Sequence, residues 1–332
     1  MSLPAIPLSV LDLCPVPQGG TPSDALANAL ALARHVQELD YRRYWVAEHH
    51  NMTGIASAAT SVVMGYLAAG TERIRIGSGG IMLPNHAPLQ VAEQFGTLES
   101  LYPGRIDLGL GRAPGTDPAT AQALRHGRGD GSDFPQMLDE LRGLFAEAQP
   151  GQRLRAVPGA GLKVPIWLLG SSTFSAELAG QLGLPFAFAG QFSPDYLHAA
   201  LAAYRKRFQP SETLQQPHVM LGINAYVADS REQAHYLASS QQQAFLNMIR
   251  GRPGPLPPPV EDMSSVWLPH EKHQVMSTLA GTLIGDEQAV SQQLTDLIER
   301  SGANELIVSS SIFDQSLRKE SYSRLMQVAC SL

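Results

Sequence analysis

"IRIGSGGIMLPNHAPLQVAEQFGTLESLYPGRIDLGLGR", residues 74–112, holds one complete strand–helix–strand unit. The apolar run 74–83 has Pro84-Asn85-His86 just past its end, and "APLQVAEQFGTLESLY" then places its apolar residues at helical spacing. A second apolar run, "RIDLGLG" (105–111), follows. Two strands joined by a helix pair parallel through a right-handed crossover.

The unit recurs along the chain. Apolar runs at 7–13, 43–48, 74–83, 105–111, 165–171, 185–190, 219–228 and 304–311 give eight strands, with helical patterns between them. The first of these helices is expected to start at a Ser23 cap. Eight βα units in one chain mean a closed (β/α)8 TIM barrel more often than an open sheet. The strands read as nearly unbroken apolar runs, as expected where both faces are covered. Residues 1–332 are read as a single domain with three insertions. These are 113–132 (loop-like), 149–164 (room for a small hairpin) and 250–275, which includes the proline-rich "RGRPGPLPPPVED". The last lies on the side where lids sit.

Bulk composition narrows the function. Net charge is 24 − 30 = −6 with no basic run, which argues against nucleic acid as a partner. No apolar stretch reaches about 18 residues, so no membrane span is expected. Two cysteines, Cys14 and Cys330, make no disulfide framework, and "MSLPAIPLSV" lacks a signal-peptide pattern. A cytoplasmic setting is expected.

In such a barrel the chemistry sits at the C-terminal ends of the strands. The second strand ends in Glu48-His49-His50, three titratable groups in a row. With His86 they could supply metal ligands, but no further ligand stands out and the HExxH spacing is absent, so no metal is assigned. A single catalytic histidine fits better, since imidazole titrates near neutral pH. The third strand carries Gly79-Gly80, where backbone approaches a flat ligand or the strand simply kinks. "GSSTFSAEL" (170–178) opens a helix with hydroxyls. Its free N–H groups suit a phosphate, or Ser172 or Thr173 serves only as a cap. Arg112 ends the neighbouring strand and offers a guanidinium fork to the same anion.

These residues resemble the bacterial luciferase-like monooxygenase family. The resemblance rests on "WVAEHH" (45–50), the 78–112 block, "PIWLLGSS" (165–172) with "LGLPFAF" (182–188), and "TLIGDEQAVSQQL" (282–294). It implies a barrel that binds reduced FMN. It implies His49 as the catalytic residue with Glu48 supporting it, and a cis peptide at Gly79-Gly80 against the flavin ring. It further implies phosphate contacts from Arg112 and from Gly170, Ser171 and Ser172. The chain departs from the luciferases proper at Gly111, where they have cysteine, and at Gly170, where they have an acid. A second phosphate arginine has no direct match; Arg125 or Arg128 could stand in. These departures fit a non-luminescent, single-chain member.

The expected activity is an FMN-dependent monooxygenase acting with O2 on an aldehyde or other small organic substrate. Reduced FMN is expected from a separate flavin reductase, because no GxGxxG follows a strand. Two alternatives stand beside it: a deazaflavin-dependent oxidoreductase on the same barrel, and a non-catalytic flavin-binding protein. Family relatives imply a homodimer. Cys14, at the end of the first strand, reads as a small buried hydrophobe.

Overall fold

The computed structural model describes residues 6–125 and 131–332; Arg128 lies outside the described residues. The strands are β1 (Leu8–Asp12), β2 (Arg43–Val46), β3 (Arg75–Ser78), β4 (Ile81–Met82), β5 (Ile106–Gly111), β6 (Ile166–Gly170), β7 (Phe186–Phe188), β8 (Val219–Val227), β9 (Leu283–Gly285) and β10 (Glu305–Ser309). The α-helices are α1 (Pro22–Glu38), α2 (Thr60–Ala69), α3 (Pro88–Leu101), α4 (Pro118–Arg125), α5 (Phe134–Phe145), α6 (Thr173–Gln181), α7 (Leu197–Arg207), α8 (Arg231–Ile249), α9 (Pro269–Thr278), α10 (Glu287–Ser301) and α11 (Gln315–Cys330).

Parallel pairing runs β10–β1–β2–β3–β5–β6–β7–β8, and β8 pairs back with β10, which closes the barrel. β4 continues the third stave past Gly79-Gly80 and pairs with β5, so the staves number eight. This is the (β/α)8 barrel that the alternation of runs predicts. β9 was not among the expected strands; it pairs with the far end of β8, beyond the barrel wall.

Register decides what fills the barrel. Leu11 pairs with Trp45, Trp45 with Gly77, and Gly109 with Trp167, so these positions share the inner face. Leu11, Trp45, Trp167, Ala187, Met220 and Ile307 form the inner apolar layer, while the larger core lies between staves and helices. Below that layer, at the N-terminal end, the floor is ionic. Buried Arg43 donates to Asp107 at 2.7 Å and to Glu305 at 2.8 Å, and its guanidinium lies 4.8 Å from the centre of the Trp167 ring. Arg75 and the Trp45 indole also donate to Asp107. Buried charge persists because each group is paired.

Local readings shift in four places. The cap of α1 is Thr21, not Ser23. Thr21 accepts from the Asp24 N–H, the Asp24 carboxylate accepts from the Thr21 N–H, and Pro22 fills the first helical position, where no N–H is needed. The 113–132 segment contains α4. At 149–164 no strand forms, since Pro150 and Pro158 have no N–H to give a ladder. The region 250–275 is fastened down. Leu256 donates to the Val16 carbonyl and accepts from Gln18 N–H, both at 2.8 Å, which makes a bridge with Pro17. Its later part enters α9, tied by Arg250 to Glu271. Among the described residues no helix is long and apolar enough to cross a membrane.

Candidate functional site

β2 ends at the barrel mouth and delivers Glu48, His49 and His50. Glu48 is 1% exposed. Its carboxylate accepts from His50 Nε2 at 2.9 Å, from His86 Nε2 at 3.0 and 2.9 Å, from Met82 N–H at 3.0 Å and from Asn85 Nδ2 at 3.3 Å. Burial pushes this carboxyl up, but the bonds from His50, His86 and Met82 outweigh it and hold the group at about 2. Glu48 is therefore ionised at neutral pH and accepts only, so both histidines carry their proton on Nε2. Among the described residues no three His, Cys, Asp or Glu side chains are arranged as metal ligands. His50 and His86 each donate to Glu48 instead.

His49 faces a different partner. Its Nδ1 lies 3.1 Å from the Gly115 carbonyl. Burial lowers its pKa, only partly offset by that bond and by Glu48, so the neutral imidazole is favoured.

On the next stave the Gly79-Gly80 peptide is cis. A Cβ at 79 would sit 2.5 Å from Leu11 Cδ1, and one at 80 would sit 2.8 Å from the Gly109 carbonyl oxygen. The Gly109 backbone therefore holds position 80 to glycine, while at 79 the obstacle is the movable end of the Leu11 side chain. Ser78 Oγ donates to the Gly109 carbonyl and accepts from Gly109 N–H, which fixes the break in the stave against β5.

β5 ends before Arg112, whose guanidinium is 4.2 Å from the centre of the Phe174 ring. Phe174 lies in the first turn of α6. Ser172 is the N-cap of α6, yet its side chain makes no cap bond. The plain capping role is thus not taken up, and a cation stands beside an uncapped helix start. Gly170 lets the strand end close on this helix, since a Cβ there would be 2.7 Å from Ser175 Cβ. The Ser171 carbonyl accepts from Ser193 Oγ at 3.3 Å. Cys14 is buried in the core, its thiol pushed up by burial and by Asp12, and so stays protonated.

The predicted residues fall into two clusters on one rim. Glu48 and His49 stand at the end of β2, while Arg112 and Gly170–Ser172 stand at the ends of β5 and β6. Among the described residues no hydrogen bond or ion pair joins the two clusters, and the glycine stave lies between them. An elongated ligand with a phosphate at one end and a flat ring at the other fits this donor set. Sequence reasoning missed Gly115 and Phe174. It weighed His86 and Asn85 only as strand-end residues or metal ligands, whereas they belong to the Glu48 cluster.

Comparison with known proteins bears on the same residues. The sequence profile of the luciferase-like monooxygenases matches residues 8–305. A luciferase-like monooxygenase of Escherichia coli (strain K12) is 51% identical over 97% of this chain and 97% of its own length. The N-acetyl-S-alkylcysteine monooxygenase of Bacillus subtilis (strain 168) is 32% identical over 96% and 97%. The crystal structure of apo-MsnO8 superposes with a TM-score of 0.85 at 33% identity, covering 97% of this chain and 98% of that one. At 14% identity the fold alone is shared with two ligand-bearing structures. One is the FMN complex of the oxygenating constituent of 3,6-diketocamphane monooxygenase from Pseudomonas putida, with a TM-score of 0.72 over 99% of both chains. The other is an F420-dependent secondary alcohol dehydrogenase, with a TM-score of 0.66 over 98% of this chain and 99% of that one. With the profile spanning seven staves up to the start of β10, and both rim clusters, the chain belongs to the luciferase-like monooxygenase family.

Proposed function

We propose that this chain is a flavin-dependent monooxygenase. It takes reduced FMN from a separate flavin reductase and uses it with O2 on an aldehyde or another small organic molecule. For an aldehyde the balance is RCHO + FMNH2 + O2 → RCOOH + FMN + H2O. The reduced flavin supplies two electrons and the surface on which oxygen reacts. The protein's part is placement and proton handling. Arg112 and the uncapped start of α6 would hold the phosphate. Gly79-Gly80 would offer backbone to the ring, His49 would hold or move a proton at its imidazole, and the 250–262 strap would exclude water.

The observation that carries this reading is the pairing of a half-buried His49, bonded to the Gly115 carbonyl, with an open cationic helix start across a glycine stave. The related monooxygenases favour FMN over a deazaflavin. The proposed homodimer would use α2, which is apolar on all sides and leaves Val62 and Tyr66 exposed, beside exposed Leu101 of α3. A cytoplasmic setting suits the two free cysteines.

Anaerobic titration with reduced FMN, then O2 and a panel of aldehydes and thioethers, tests the reading. Tight flavin binding and one ¹⁸O atom from ¹⁸O2 in the product are expected. Binding of reduced F420 in place of reduced FMN would establish the deazaflavin rival, and bound flavin without turnover the storage rival.

A further inference from the structure

His49 carries the proposed proton transfer, yet its ring is held by a residue outside the βα repeat. We propose that the Gly115 carbonyl fixes the tautomer of His49 and leaves Nε2 as the proton-exchanging atom, which makes the insertion after β5 a working part of the site. This rests on the monooxygenase reading only for the use to which Nε2 is put.

A carbonyl oxygen only accepts, so Nδ1 at 3.1 Å carries the hydrogen. A neutral imidazole has one hydrogen, and Nε2 is then bare. Among the described residues nothing hydrogen-bonds Nε2. The charged and titratable neighbours are Glu48, on the preceding residue, and His50, on the following one, and these two are bonded to each other.

Position 115 permits this only as glycine. Its φ is +65°, and a Cβ there would lie 2.7 Å from the Glu48 carbonyl oxygen and 3.1 Å from Met82 Cγ. The same carbonyl accepts from His50 N–H at 3.4 Å, which aims it at the strand end. The following residues clamp the segment. Thr116 Oγ1 donates to the His50 carbonyl at 2.8 Å, and Asn51 Nδ2 donates to Thr120 Oγ1 at 3.0 Å. Asp117 accepts from the N–H groups of Ala119 and Thr120, both at 3.0 Å, and thereby holds the start of α4. Residues 48–51 and 115–120 thus dock as one unit. A histidine held in the wrong tautomer keeps its place but loses its use as a base. Gly115 is accordingly a positioning residue.

¹⁵N NMR of histidine-labelled protein at about pH 8, where an imidazole of ordinary pKa is neutral, reads the tautomer directly. His49→Gln identifies the signal. The wild type is expected to show protonated Nδ1 and bare Nε2. Gly115→Ala is expected to return the ring to a mixture of tautomers and to slow oxidation of octanal, with reduced FMN supplied, about tenfold. A wild-type His49 protonated on Nε2 overturns the assignment without recourse to any variant, so it stays testable even if Gly115→Ala fails to fold. An unchanged tautomer in Gly115→Ala also overturns it. A changed tautomer with undiminished turnover instead overturns the catalytic reading of His49, so the two failures are distinguishable.

Discussion

A carboxylate that has lost its water must find other donors, and Glu48 finds them on four residues. Its folded pKa of about 2 lies below the unfolded value of about 4.3. The stability it contributes is therefore fully present above that unfolded value and is lost as pH falls through the folded one. The shift corresponds to about 3 kcal/mol. Glu48→Gln should be less stable than wild type by about that amount at pH 7 by urea denaturation, with the gap narrowing towards pH 3. A gap of equal size at both pH values would refute the assignment. Arg112 is legible in the same terms. Arg112→Ala should weaken FMN binding about tenfold or more while leaving riboflavin, which has no phosphate, unaffected. Equal losses for both ligands would remove Arg112 from the phosphate. The sequence made Glu48, His49 and Arg112 visible because each stands at a strand end. Gly115 was not visible, because its role is a carbonyl direction set by a contact 66 residues away.

Elements show the same division. Strands were read correctly where the apolar run was long, and β9 was missed because its run is only Leu283-Ile284 before Gly285, too short to carry a pattern. Proline content marked 250–262 as neither helix nor strand, yet it could not show where the segment goes. It goes across the mouth. Val16 donates to Gly54 O at 2.9 Å, Pro15 bridges Ile55, and Leu256 bridges Pro17, so the loops after β1 and β2 and the strap form one small ribbon. Gly54 is its tightest point, since a Cβ there would lie 2.0 Å from the Gly254 carbonyl oxygen. Gly54→Ala should release the strap without melting the barrel. Limited proteolysis should then cut within 250–262 faster than in wild type while the main thermal transition stays in place. Equal cutting rates would show that the strap does not depend on this contact.

At the scale of the molecule, closure is what brings the rim clusters together. β8 pairs with β10 through five registered positions, Glu305 with Met220 to Ser309 with Asn224. The apolar outer face of α2 is the feature that closure leaves unexplained. If it is the dimer face, Tyr66→Asp should convert a dimer to a monomer in light scattering coupled to size exclusion, with the barrel's helical signal unchanged. A variant that remains dimeric places the interface elsewhere.

The sequence by itself determined the barrel. Alternating periods of strand and helix leave few ways to bury every apolar face, and parallel pairing with right-handed crossovers selects the closed one. It also determined which side chains reach the mouth, because strand ends are local facts. Only the tertiary structure decided what those side chains do. The tautomer of His49, the ionisation of Glu48 and the open start of α6 beside Arg112 each depend on a group brought from another stave or insertion. Hydrogen-bond direction and desolvation are properties of assembled neighbours, and they leave no periodic mark along the chain.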